Sequence, residues 1–204
     1  MRVTFYMVRH GQTLFNSMAR IQGGCDSPLT EKGIAQALEA KEALSDIPFT
    51  KAFSSTSERA YDTCELILQD RNIPIQRTKL LKEFDFGLLD GSRFEEVAEE
   101  IFIRRQNGED FTDIGGDSKK TIAKRIREGF KYILNQCEDG DVVLIVTHGA
   151  YGRHVIESVF HRKLEKKNGD HVIYPNTGIM KYEYVDGKYH LLMMPTPANE
   201  FKEE

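Results

Sequence analysis

The sequence predicts an α/β three-layer sandwich: a mostly parallel central sheet with one antiparallel C-terminal hairpin strand, and helices on both faces. Three observations carry that expectation. Val142 to Val146 (VVLIV) is an unbroken aliphatic run with no polar face, so it belongs inside a sheet covered on both sides. Stretches of strand character alternate with stretches of helical periodicity along the chain, the order that builds a parallel sheet. Asp186-Gly187 separates two strand-like runs, Ile179 to Val185 and Tyr189 to Met193, and reads as a tight hairpin turn.

The elements follow in order. Val3 to Val8 is apolar, rich in β-branched and aromatic residues, and closed by Gly11, which makes it the first strand. Thr30, with Leu29 ahead of it, fits a helix N-cap, and Ala37, Leu38, Lys41 and Leu44 follow at helical spacing. Ala52-Phe53 is a second strand running into Ser54-Ser55. A helix starts at Ser57 with Ala60, Cys64, Ile67 and Leu68 on one face. Another begins near Phe94. A longer one begins near Ser118, with Ile122, Ile126, Phe130, Ile133 and Leu134 as its apolar stripe. After Val142 to Val146, Ala150 to Phe160 is helical. No repeat, low-complexity tract or linker interrupts the pattern, so residues 1–204 are expected to form one domain, with 92–118 as a cap insertion.

Composition narrows the function. The chain has 204 residues, 40% hydrophobic and 29% charged, with a mean hydropathy of -0.47, as an ordinary globule does. Its net charge of -4 is spread among mixed charges, so neither nucleic acid nor an anionic membrane is an expected partner. Cys25, Cys64 and Cys137 form no CxxC and suit free thiols in a reducing compartment. Met1-Arg2 leads directly into a strand, with no apolar stretch long enough for a signal peptide or a span; a cytoplasmic location is expected.

Two strands end alike. Val8 runs into Arg9-His10-Gly11, and Val146 runs into Thr147-His148-Gly149. Phe53 runs into Ser54-Ser55, with Arg59 in the first turn of the helix behind it. Ligands of parallel α/β sheets bind beyond the carboxyl ends of the strands, so Arg9, His10, Arg59 and His148 should converge. Two guanidiniums, two imidazoles and a helix N-terminus suit a compact multiply charged anion, phosphate above all. There is no GxxxxGK[ST], no GxGxxG after the first strand, and no arginine six residues after any cysteine. Arginine-paired groups are poor metal ligands. Covalent catalysis on a neutral imidazole remains.

These residues carry a family resemblance. Arg9-His10-Gly11-Gln12-Thr13 with Asn16 resembles the Arg-His-Gly signature of the histidine phosphatase superfamily, which includes the cofactor-dependent phosphoglycerate mutases. QGGCDSPLTEKG (22 to 33), SSTSERAYDT (54 to 63), LKEFDFGLLDG (81 to 91) and VTHG (146 to 149) resemble four further motifs in the same order, with Asp90 standing where the family pattern has a second glutamate.

The resemblance implies His10 as nucleophile, Arg9, Arg59 and His148 as holders of the phosphoryl oxygens, and Asn16 as an amide donor to them. It implies Glu83, flanked by Leu80-Leu81 and Phe84, as the acid that protonates the leaving alcohol, with Asp85 and Asp90 near enough to share that role. Gln22, Gly23 and Gly149 fall at positions that touch substrate. The partner is a small phosphorylated molecule; neither a metal nor a cofactor is implied. His154, His161, His171 and His190 match no motif and are expected at the surface or in the tail, while the loop of Cys25 should lie near the site. A phosphohistidine discharged to water makes a phosphatase, and one returned to a second hydroxyl makes a mutase. Mutases of the family resemble one another in a longer chain and added basic residues. Here 92–118 is short and acidic, which favours hydrolysis, although Arg93, Arg104 and Arg105 leave room for an acidic substrate. A phosphate-binding module without chemistry should lack His10 or Glu83, and both are present. Oligomeric state is left open.

Overall fold

The structure, a computed structural model, describes residues 1–163 and 174–203; His171 lies outside them. Among the described residues six strands form one sheet: β1 (Arg2–Arg9), β2 (Lys51–Ser55), β3 (Ile75–Thr78), β4 (Val142–Thr147), β5 (Ile179–Val185) and β6 (Lys188–Thr196), in the order β3-β2-β4-β1-β5-β6. β1, β2, β3 and β4 run parallel, and β5 is antiparallel to both β1 and β6. The hairpin turn is as predicted: Asp186 and Gly187 have φ of 53° and 82°, the left-handed pair a two-residue connection needs.

Among the described residues six α-helices accompany the sheet: α1 (Leu14–Ser17), α2 (Glu31–Ala43), α3 (Glu58–Leu68), α4 (Phe94–Gln106), α5 (Lys119–Leu134) and α6 (Gly149–Ser158). Side chains alternate across each strand, and the two faces make two cores. Val3, Phe5, Met7, Val143 and Ile145 pack with Ile122, Ile126, Phe130 and Ile133 of α5 and with Tyr151 and Val155 of α6. Tyr6, Val8, Leu144 and Val146 pack with Ala40 and Leu44 and with Ala60, Cys64 and Ile67 of α3. Each large side chain so buried contributes about 1.5–3 kcal/mol.

Capping sets the helix starts. Thr30 accepts the Gly33 N–H at 3.1 Å, and Ser118 and Thr121 form a reciprocal capping box at the start of α5. Ser57 makes no side-chain cap for α3. Instead Asp26, from a distant loop, accepts the Glu58 N–H at 2.6 Å. β3 (IQRT) and the single turn of α1 have no periodicity to announce them and went unpredicted. β3 exists because the open edge of β2 pairs with it, from Ala52↔Ile75 to Ser55↔Thr78. In the 92–118 segment, Ile101 and Phe111 join the core, and Phe111 meets the rings of Phe84 and Phe86 at 5.4 and 5.5 Å. The segment is thereby fastened beside Glu83.

Candidate active site

Register places the site. β1 and β4 are paired through Arg9↔Thr147, and β2 and β4 through Ser54↔Val146, so three parallel strands end at one level. The His10 N–H then donates to the Thr147 carbonyl at 3.0 Å, carrying the pairing one residue further. His10 and His148 are buried with ring centroids 5.3 Å apart.

The tautomer of His10 is set by its neighbours. Nδ1 lies 2.8 Å from the Gly11 carbonyl, to which it can only donate, and Nε2 accepts from Arg59 Nε at 3.2 Å. Burial, then the positive charges of Arg59 and Arg9, push the imidazole pKa well below its ordinary value of 6.5. His10 is thus a neutral imidazole whose lone pair sits on Nε2. His148 is held neutral in the same way, by burial and then by the charges of Arg59 and Arg9. Its Nε2 lies 2.8 Å from Ser55 Oγ, and its Nδ1 is buried without a partner.

Arg9 donates to the Tyr174 carbonyl, its Nε is buried and unpartnered, and burial lowers its pKa to about 10, which leaves it charged at neutral pH. Unpartnered buried polar atoms are costly and are the atoms an anion would satisfy. Arg59 is fully enclosed. Its Nη1 reaches the Cys25 carbonyl (2.9 Å) and Asp26 Oδ1 (2.8 Å), and its Nη2 reaches the Gly23 carbonyl (3.2 Å). Among the described residues no three His, Cys, Asp or Glu side chains group as a metal site would need, and no helix is long and apolar enough to cross a membrane.

Glu83 is 7% exposed. Its Oε1 accepts the N–H groups of Phe84 (2.8 Å) and Tyr151 (2.7 Å), and its Oε2 accepts that of Ala150 (3.0 Å). Arg125, paired with Asp117, donates to the Glu83 carbonyl at 2.9 Å, and Asp117 also accepts the Asp85 N–H. Asp85 itself accepts from Gly87, and Asp90 from Gly23, Gly24 and Cys25.

The remaining sequence candidates divide. A Cβ on Gly149 would stand 3.1 Å from Arg9 Nε, so that glycine lies against the cationic floor of the site. Gln22 is spent inside its loop, accepting from Thr13 Oγ1 and donating to Ser27 Oγ. Asn16 accepts from the Thr13 N–H and faces Asn176, whose amide also donates to the His10 carbonyl. Cys25 lies in the loop at Arg59 as expected, but burial and the nearby Asp90 raise its thiol pKa, so it is no activated thiolate. One expectation is corrected. His154 is 4% exposed, stacked on Phe84 at 5.3 Å, because α6 turns that position toward the core.

The sequence profile of the histidine phosphatase superfamily (branch 1) matches residues 5–196. The chain belongs to that superfamily. Over 197 residues, 93% of this chain and 90% of its relative, it is 32% identical to a 2,3-bisphosphoglycerate-dependent phosphoglycerate mutase 2 of Gloeobacter violaceus. Its structure resembles a phosphoglycerate mutase of Bacillus anthracis, with a TM-score of 0.83 and 27% identity, covering 95% of this chain and 92% of the other. It also resembles a phosphoserine phosphatase of Entamoeba histolytica solved with 3-phosphoglyceric acid, with a TM-score of 0.77 and 25% identity, covering 95% and 97%.

Within this superfamily member, sequence reasoning missed the residues that hold the others: Asp26, Ser55, Asn176 and the Tyr174 carbonyl. Pro175-Asn176-Thr177-Gly178 was a findable turn signal ahead of β5. Nothing local marks a backbone carbonyl as the partner of an arginine 165 positions away.

Proposed function

We propose that this chain hydrolyses small phosphomonoesters through a phosphohistidine on His10. The observation that carries the reading is the neutral His10, donating through Nδ1 to Gly11 and presenting Nε2 beside Arg59 and His148. In this reading the Arg59 Nε–H leaves His10 Nε2 for a phosphoryl oxygen, the freed Nε2 lone pair attacks phosphorus, the P–O bond to the alcohol breaks, and a phosphohistidine forms. Arg9, Arg59 and His148 meet the three non-bridging oxygens, and the charge spread over them in the transition state falls on guanidinium groups already in place. Asn16 and Gly149 border the same oxygens, with Gln22 and Gly23 shaping the loop that carries Arg59. On Glu83, Oε1 already accepts two N–H groups and Oε2 only one, so the second lone pair of Oε2 is the place for the proton given to the leaving alkoxide. In the second half-reaction Glu83 takes a proton from water, which attacks phosphorus as the N–P bond breaks. His10 is returned neutral.

Hydrolysis is favoured over transfer by the cap. Its three arginines are already paired: Arg93 with Glu95, Arg104 with Glu100 and Asp113, and Arg105 with Glu109. None is left unpaired to hold the carboxylate of a phosphoglycerate. The names of the relatives keep mutase activity as the second reading.

The test is a panel of phosphomonoesters, phosphoserine and 3-phosphoglycerate included, assayed in EDTA beside 2-/3-phosphoglycerate interconversion. Phosphate release should persist in the chelator and exceed interconversion. Substrate phosphate should label the enzyme in an acid-labile, base-stable form, and His10→Ala should abolish the label. Faster interconversion than release would establish the mutase reading; an acid-stable adduct would overturn His10 as nucleophile.

A further inference from the structure

We infer that Asp90 is a positioning residue for the phosphoryl site, acting through the 23–26 loop to hold Arg59 against His10. The inference rests on the reading of His10 and Arg59 given above and names a residue that touches neither the substrate nor the reacting atoms.

The geometry runs in two steps. The Asp90 carboxylate collects three consecutive backbone donors: Oδ1 accepts from Gly23 N–H (3.0 Å), and Oδ2 from Gly24 N–H (2.6 Å) and Cys25 N–H (3.1 Å). On its other side the same loop presents acceptors, three of which meet one guanidinium. Arg59 gives three of its five N–H groups to the carbonyls of Gly23 and Cys25 and the carboxylate of Asp26, and turns a fourth, on Nε, to His10 Nε2. Fixing where the amides of a loop point fixes where its carbonyls point. Without Asp90 these amides would have to find water or turn inward, and the cradle of Arg59 would lose its orientation.

Two features argue that the arrangement is built for this. No cation pairs with Asp90 among the described residues; a partly buried carboxylate is satisfied by amides alone, and charge-assisted bonds of that kind are the stronger ones. The loop also has no slack. A Cβ on Gly23 would fall 2.4 Å from the Phe84 carbonyl and 2.7 Å from Asp90 Oδ1, which ties the same loop to the Glu83 segment. Asp90 therefore sets Arg59, and with it the charge and hydrogen bond felt by His10, rather than serving as a reserve acid for Glu83.

The experiment compares wild type with Asp90→Ala and Asp90→Asn. Asn keeps the size and one acceptor but sets an NH2 group against a backbone donor. Both variants should lose turnover, Ala by about a hundredfold, the scale on which a misplaced catalytic group costs rate. Combined with Arg59→Ala, Asp90→Ala should cost little further, because the two act as one unit. The decisive readout needs no turnover. In 15N-histidine-labelled free enzyme, the His10 Nε2 resonance should shift in Asp90→Ala, and the imidazole should titrate closer to its ordinary value as Arg59 withdraws. Inorganic phosphate, followed by 31P line broadening, should bind more weakly. A folded Asp90→Ala protein whose His10 resonances and phosphate binding match wild type would overturn the inference. So would costs that multiply in the double variant. If Asp90→Ala does not fold, Asp90→Asn carries the same comparison. If the chain proved not to hydrolyse phosphate esters at all, the histidine spectra and phosphate binding would still decide the role of Asp90.

Discussion

At the scale of single residues, the site rests on charge states set by burial. His10 is neutral because a protonated imidazole would lie buried between two guanidinium groups. Glu83 is bound by three backbone N–H groups and presents one unfilled lone pair. If that lone pair carries the proton for the leaving group, Glu83→Gln should slow phosphoenzyme formation from alkyl phosphates by roughly a hundred- to ten-thousand-fold. An aryl phosphate with an electron-poor ring leaves without that proton and should be much less affected. Rapid-quench measurement of labelled enzyme with both substrates makes the comparison. Equal losses would make Glu83 a group that orients the α6 N-terminus and not an acid.

At the scale of elements, the turn after β1 and the start of α2 are pressed together so closely that neither tolerates a side chain. A Cβ on Gly11 would stand 2.4 Å from the Gly33 carbonyl, and one on Gly33 would stand 2.0 Å from the Gln12 carbonyl. Gly33 is in the first turn of α2, where alanine would ordinarily be the better helix former by about 1 kcal/mol. Here overpacking against backbone, costing typically about 1–3 kcal/mol, should outweigh that gain. Gly33→Ala should lower the midpoint of urea unfolding, and it should slow turnover as well, since the 11–12 turn carries the carbonyl that fixes the His10 tautomer. An unchanged or raised midpoint would show that the contact yields at no cost.

At the scale of the whole molecule, His10, His148 and His154 are all held neutral by burial, and the arginines around them add to the effect. The sign of the linkage follows. In the unfolded chain each titrates near pH 6.5, while in the folded protein each resists protonation, so below that pH the unfolded state binds more protons. Stability should be flat in these groups above about pH 7 and fall as the pH drops, by about 1.4 kcal/mol per pH unit for each. Thermal unfolding between pH 7.5 and 5 should show the decline. His154→Gln removes one titrating group outside the proposed chemistry and should flatten the slope, and inorganic phosphate should raise the melting temperature by binding the folded state alone. An identical slope in His154→Gln would mean that this imidazole does not stay neutral.

Local sequence settled a good deal of this protein. An aliphatic run fit only for the inside of a sheet, the capping residues Thr30 and Ser118, the Asp186-Gly187 turn, and two strands that end in histidine all act within a few positions. Rules of periodicity and of parallel-sheet geometry then bring Arg9, His10, Arg59 and His148 to one end. The three-dimensional arrangement alone decided how those groups are held. β3 exists because a neighbouring edge needed a partner. His154 is buried because α6 turns it onto Phe84, and Arg59 is fixed by carbonyls whose donors answer to Asp90, 65 to 67 positions from the loop it gathers. Every residue carries the same backbone N–H and C=O, so composition cannot mark which of them a distant side chain will use. That is decided only when the fold closes and buried polar groups must find partners.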